Sequence, residues 1–259
     1  MLSKYDLLII GATFTGMGAA FAKKENTLVV ERCSLIGYEF IDCFNPGYGY
    51  GCTLLTGFAK NFADELTAAK LLTKEGITNI AATAPILYSL VKDSSIPVML
   101  NTDVAEVTHN GVEFSVKIFN SQGFSEIRAD MILDTRSCNV VSKTINAVLN
   151  SDKPDFSCFT NSGSVSYICC PLTGSTILKL CVDKNDDFPV ARKKLHGFWE
   201  KRKGVLKEWT ISSVANCFDY NCRPAVSEKD GAILLPSCAY RNPLEALQAG
   251  INSISRMEK

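Results

Sequence analysis

The stretch YDLLIIGATFTGMGAAFAKKENTLVVER near the start of the chain constrains the fold more than any other. Tyr5–Ile10 is a short, largely apolar run of the kind expected for a parallel strand buried on both faces. Gly11 closes it with a turn, and the small residues Gly16, Gly18, Ala19, Ala20 and Ala22 let the helix predicted over 15–24 approach neighbouring strands closely. Thr27–Val30 then reads as a second strand, with Glu31 at its carboxyl end, 20 residues after Gly11. Strand, glycine turn, helix, strand and acid in this order are the plan of a dinucleotide-binding βαβ unit. Gly11 and Gly16 stand at the first and third positions of the G-x-G-x-x-G pattern, and Thr13 holds the middle one. The helix N-terminus would present free N–H groups to a phosphate. Glu31 could accept both hydroxyls of an adenosine ribose, and it would repel a 2′-phosphate, which disfavours NADP. A purely structural βαβ with an empty turn is the alternative reading.

The 259 residues are 46% hydrophobic, enough for one large domain or two small ones with a proper core. Lysine plus arginine equals aspartate plus glutamate at 27 each, so no global field draws the chain to nucleic acid or to an anionic membrane. Lys4 before an apolar stretch imitates a secretory leader, but Asp6 and the βαβ register argue against one. No run is apolar and long enough to span a bilayer, and a cytoplasmic location is expected. The 11 cysteines are odd in number, scattered and free of any C-x-x-C pair. They read as reduced thiols, with neither a disulfide framework nor a metal site.

Residues 32–57, rich in glycine and aromatics, read as a long loop that either walls a flat ring or simply packs. Helices are predicted over 61–74 and 82–91, and a strand over 95–101. Alternating segments at 104–107, 112–119 and 124–129, with turns at Asn110-Gly111 and Ser121-Gln122-Gly123, predict a small antiparallel meander. A buried strand at 131–133 ends in Asp134-Thr135. A linker containing Pro154 leads to a hairpin of 164–170 and 175–182 joined by PLTG. Residues 187–209 predict a basic amphipathic helix interrupted near Gly204, with Phe188, Leu195, Phe198, Trp199, Val205 and Leu206 docked on the hairpin. The final segment reads strand, turn, helix, with Asn242 as N-cap and Pro243 as the first helical residue.

In this order the parts resemble the glutathione-reductase-type FAD/NAD(P)-binding family of FAD-dependent oxidoreductases, as a short member with altered motifs. The resemblance rests on the N-terminal βαβ unit with Glu31, the following LIG, the meander ahead of ADMILDT, and the closing strand-turn-helix. It implies an α/β fold: a Rossmann-like domain with a parallel sheet and a β-meander, formed by residues 1–150 and 225–259, plus a small α+β cap region over 151–224. It implies FAD as cofactor. Gly11, Thr13, Phe14, Thr15 and Gly16 would hold the pyrophosphate, Glu31 the ribose and Arg32 the adenine or a phosphate. Val104 matches the position at the adenine edge, while Asp134, Thr135 and Arg136 stand where the family has A-T-G. Ser237 stands where a Gly-Asp pair meets the ribityl chain, and the Leu244 and Glu245 amides would face the flavin pyrimidine. The missing central glycine, DTRS in place of A-T-G, and PSC in place of Gly-Asp are departures at three contact points.

The implied activity is hydride transfer between a small substrate and flavin. The competing reading is a flavoprotein-fold protein with weakened or lost FAD binding, acting as a structural or regulatory subunit. Cys43, in the glycine-rich loop, is the best sequence candidate for redox chemistry, although its spacing to Cys52 is not that of disulfide reductases. His109 and His196 read as surface or packing residues. The partner implied is a small molecule, and a homo-oligomer is compatible with the sequence.

Overall fold

In the computed structural model the described residues are 3–73, 76–77, 79–136, 139–170, 173–223 and 226–257. Ser137 and Cys138 of the DTRSC stretch, Pro171 and Leu172 of the PLTG turn, and Lys74 at the expected end of a helix lie outside them. β1 (Lys4–Ile10), α1 (Phe14–Lys23) and β2 (Thr27–Val30) form the opening unit. β1 and β2 pair in parallel, with Leu7 opposite Thr27 and Ile10 opposite Val30. A helical turn α2 (Tyr38–Ile41), helix α3 (Gly57–Ala68), the ribbon β3 (Leu72–Thr73) and β4 (Gly76–Ile77), helix α4 (Thr83–Lys92) and strand β5 (Val98–Met99) follow. The meander is β6 (Asp103–His109), β7 (Phe114–Asn120) and β8 (Gly123–Asp134). Next come β9 (Val140–Asn150), β10 (Val165–Cys170), β11 (Ser175–Val182), α5 (Phe188–Glu200), β12 (Thr210–Val214) and β13 (Asp219–Cys222). The chain returns through β14 (Ser227–Lys229) and β15 (Ala232–Leu234) to α6 (Pro243–Met257).

The first sheet runs β14-β15-β8-β1-β2-β5, with β6 and β7 attached through β8. β15, β8, β1, β2 and β5 are parallel. Period-two alternation assigns the faces of β1. Leu7 and Ile9 pack with α1, α3 and α6, and Leu8 and Ile10 pack with Phe114, Val116, Ile118 and Ile127 of the meander. The fold is therefore an α/β Rossmann-type architecture with helices on one face of the sheet and a β-meander on the other.

α1 and α6 cross without intervening side chains. A Cβ on Gly18 would run into the Leu247 backbone, and one on Gly250 into the Thr15 backbone. The Thr15 hydroxyl donates to the Ala246 carbonyl at 3.1 Å and pins the crossing.

The second sheet has the order β10-β11-β9-β12, with β13 also on β9. Leu195 and Trp199 of α5 close its core together with Trp209. Asn146 of β9 donates to the Cys43 carbonyl at 2.7 Å and ties this sheet to the long loop.

Several boundaries differ from expectation for identifiable reasons. α3 starts at Gly57, because Phe58 stacks on Phe21 with centroids 3.6 Å apart and Gln248 takes the Thr56 N–H at 2.7 Å. The segments at 124–129 and 131–133 are one strand, β8, whose first part pairs with β7 and whose second part pairs with β1. The stretch 140–150 is the central strand of the second sheet rather than a linker. Its polar residues are buried because they find partners, as when the Lys143 ammonium donates to the Asp186 carbonyl at 2.6 Å. On the basic helix Leu195 and Trp199 dock, whereas Phe198 and, beyond the helix, Val205 are exposed. Among the described residues no helix is long and apolar enough to cross a membrane.

Candidate functional site

The carboxyl ends of β1, β2, β8 and β15 open onto a cavity of about 630 Å³ lying between the first sheet and the second. Crevices at this edge of an open α/β sheet are where ligands bind. Thr13, Arg32, Thr135, Arg136 and Ser237 line it from the first sheet, and Cys217, Phe218 and Tyr220 from the second. Arg32 also borders a neighbouring recess with Asn101 and Asp103. On the opposite side Tyr220 and Cys238 are shared with a smaller polar recess that contains Lys179, Asp219 and Arg241.

The turn after β1 is built around Gly11 at φ 108°, a conformation that disfavours any side chain. A Cβ there would also lie 2.7 Å from Thr135 Oγ1. Four of the N–H groups that follow are engaged by oxygens of the chain itself. Ala12 N–H donates to Glu31 Oε2 at 2.9 Å, Phe14 N–H to Glu39 Oε1 at 2.8 Å, and Thr15 N–H to Ser237 Oγ at 3.1 Å. Gly16 N–H donates to Thr13 Oγ1 at 3.0 Å, which makes Thr13 the N-cap of α1. The Ser237 hydroxyl in turn donates to Glu39 Oε1 at 2.7 Å.

Glu39 is the residue that sequence reasoning missed. It sits in the short turn α2, which begins directly after the LIG segment, and its Oε1 rests at the N-terminus of α1. Its second oxygen, Oε2, is shut away from solvent and has no hydrogen-bond partner. Burial pushes the carboxyl group up to about 7, against the opposing hydrogen bonds from Ser237 and Phe14. The available signal was weak: Glu39 is one of two acidic residues, with Asp42, in a loop rich in glycine and aromatics.

Thr13, Phe14, Thr15, Gly16, Thr135 and Ser237 thus meet around one point. Glu31 is fully buried beside them, and its Oε1 accepts from the Cys33 N–H at 2.9 Å. Arg136 folds onto Asp134, with its Nε 3.3 Å from Oδ1 and its terminal nitrogen 3.2 Å from Oδ2. Val104 is half-buried on β6 opposite Ile118, one residue from the Asp103 that borders the Arg32 recess. Leu244 is buried, and the Glu245 N–H donates to Asn242 Oδ1 at 2.9 Å, so the α6 N-terminus is capped from within the chain.

Cys43 does not line the cavity. It is buried, its thiol donates to the Glu39 carbonyl at 2.9 Å, and burial together with Asp219 raises it well above an ordinary thiol. The thiols on the cavity wall are Cys217 and Cys238, each pushed up to about 12, chiefly by burial. Such thiols stay protonated near neutrality and are poor nucleophiles. The imidazoles of His109, stacked on Phe114, and His196 are exposed and do not line the cavity.

No protein-family model and no curated protein matches the sequence. The fold does match solved structures. Glycine oxidase from Geobacillus kaustophilus superposes with a TM-score of 0.67 at 11% identity, over 99% of this chain and 95% of that one. A flavoprotein/dehydrogenase from Cytophaga hutchinsonii gives 0.60 at 13% identity, over 98% and 79%. Aklavinone-11 hydroxylase, in a ternary complex with FAD and aklavinone, gives 0.53 at 13% identity, over 98% and 62%. The chain therefore has the fold of Rossmann-type flavoproteins.

Proposed function

We propose that the chain is an FAD-dependent oxidoreductase acting on a small molecule. The observation that carries this reading is the cavity at the carboxyl edge of a flavoprotein-type sheet, placed against the N-terminus of α1. Two features support the fit of the cofactor. The α1 terminus already holds an acidic group, the Glu39 carboxyl, on the Phe14 N–H, so its donors are aimed where an anion can take them. The cavity shares Arg32 with one neighbouring recess and Tyr220 with another, a layout suited to an extended dinucleotide.

In this reading the N–H groups of Phe14, Thr15 and Gly16 hold the pyrophosphate and Arg32 balances its charge. The Glu31 carboxylate, fully buried and absent from the cavity lining, fixes the turn through Ala12 and Cys33 instead of meeting the ribose directly. The second sheet excludes water from the opposite wall through Phe218 and Tyr220. When bound, FAD supplies hydride exchange between the substrate and an acceptor. Residues 1–150 and 225–259 act as the dinucleotide-binding part and 151–224 as a cap, with β9, the last strand of the first segment, leaving the first sheet to carry the strands of the cap.

A second reading, a flavoprotein-fold protein with weakened or lost FAD binding, draws on the same turn. All four N–H groups from Ala12 and from Phe14 to Gly16 are satisfied internally. An absorption spectrum of the purified protein, with chromatography of any nucleotide released by heat, separates the two. Bound FAD, or uptake of added FAD to near one equivalent, is the result expected. A colourless protein that takes up no FAD would leave the second reading.

A further inference from the structure

We propose that Glu39 is a built-in occupant of the pyrophosphate cradle, so that a dinucleotide enters only by displacing its side chain from Phe14 N–H and Ser237. The inference rests on the proposed nucleotide site and adds to it a residue that sets the strength of binding.

Three independent features meet at Glu39. First, its Oε1 is held by two donors, the Phe14 N–H at 2.8 Å and the Ser237 hydroxyl at 2.7 Å. Ser237 also receives the Thr15 N–H, so a single acidic side chain commands two of the helix's free amides, one directly and one through a hydroxyl. These are the groups a phosphate would use. Second, Oε2 is buried without a partner, a cost that the chain bears only because Oε1 is so well placed. The diphosphate of a dinucleotide, with four non-bridging oxygens in all, could use the same donors without stranding an oxygen in this way. Third, Glu39 lies on the wall of the 630 Å³ cavity together with Arg32 and Arg136, so the displaced side chain has open space and cationic groups beside it. The anchor that returns it is also built in, because the Gly37 N–H donates to the Ala12 carbonyl at 2.8 Å and holds the start of α2 against the glycine turn.

The consequence is competition. The carboxyl group and the incoming phosphate need the same N–H groups, and at pH 8 they carry charge of the same sign. The loss of one charge-assisted hydrogen bond by a competitor corresponds to about a 10- to 100-fold change in affinity.

The test is calorimetric titration of FAD and, separately, of inorganic pyrophosphate into the wild-type protein, Glu39→Gln and Glu39→Ala at pH 8. Thermal melts establish that each variant is folded. Glu39→Gln keeps the size and an acceptor oxygen, so it carries the test if Glu39→Ala does not fold. The expected result is that the variants bind FAD or pyrophosphate about 10- to 100-fold tighter than the wild type. If pyrophosphate binding tightens while no protein takes FAD, Glu39 is the occupant and the FAD reading falls. If the wild type binds FAD and the variants bind it equally or more weakly, Glu39 is not a competitor and this proposal is overturned while the FAD reading stands. Failure of all three proteins to bind either ligand also overturns it.

Discussion

The Thr13 hydroxyl donates to Thr135 Oγ1 at 2.7 Å, joining residues 122 positions apart in sequence. Thr135 Oγ1 passes the interaction on to the carbonyls of Ile10 and Gly11, each at 3.2 Å. The threonine that replaces the middle glycine is therefore a structural clasp between the ends of β1 and β8, as well as the cap of α1.

Thr13→Val keeps the shape and deletes both hydrogen bonds. The Gly16 N–H loses its cap and Thr135 loses a partner, with an expected cost of about 1–2 kcal/mol. Urea denaturation should show a lower midpoint with an unchanged slope. A midpoint equal to that of the wild type would mean that the clasp contributes nothing.

Gly18→Ala places a methyl group against the backbone of Leu247. Alanine is the better helix former, so propensity alone predicts stabilisation by about 1 kcal/mol. Steric overlap should dominate and leave a net loss of roughly 1–3 kcal/mol. A rise in thermal midpoint would show that α1 and α6 can move apart cheaply.

Glu39 should leave a mark on the pH dependence of stability. Its carboxyl group is raised to about 7 by burial, whereas an unfolded glutamate titrates near ~4.3. The folded chain holds this proton more tightly than the unfolded chain. Its contribution is complete below about pH 4 and is lost as pH rises through the folded value, on the order of 1–3 kcal/mol. Comparing urea midpoints at pH 5 and pH 8, Glu39→Gln should show a smaller fall than the wild type. Identical slopes in the two proteins would sink the assignment.

The Lys179–Asp219 pair links strands of the second sheet at 2.6 Å, and Asp219 also accepts from Asn45 of the long loop at 3.1 Å. Both side chains are largely shielded, so removing one partner strands the other. Asp219→Ala should cost about 3–5 kcal/mol, and pairing it with Lys179→Met should recover part of that loss. A double variant no more stable than the single one would show that the pair itself is not the source of the cost.

Much of the fold was legible because its parts announce themselves locally. The βαβ unit reads from the apolar run of β1, the turn at Gly11 and the small residues of α1. Asn242 and Pro243 mark the start of α6. β9 was not legible, because Lys143 and Asn146 break its apolar pattern and are buried only through partners far along the chain. At the site, Thr13, Phe14, Thr15, Gly16, Glu31, Thr135 and Ser237 were singled out from the sequence, and they do gather around one point. What no local pattern could reveal is that their donors are already taken. Glu39 reaches the α1 terminus across 25 residues and Ser237 across 222, and neither distance leaves a periodicity to read.

The crossing of α1 and α6 also sets a schedule for synthesis. Thr15 and Ala246, joined in that crossing, are 231 residues apart. At a translation speed of about 5–20 residues per second, the small-residue face of α1 waits roughly 10–50 s for its partner. Throughout that interval the surface meant for α6 is open to any other helix or chaperone. The glycine turn is thus made 231 residues ahead of the contact that completes it, and the ribosome must deliver α6 before this part of the molecule can close.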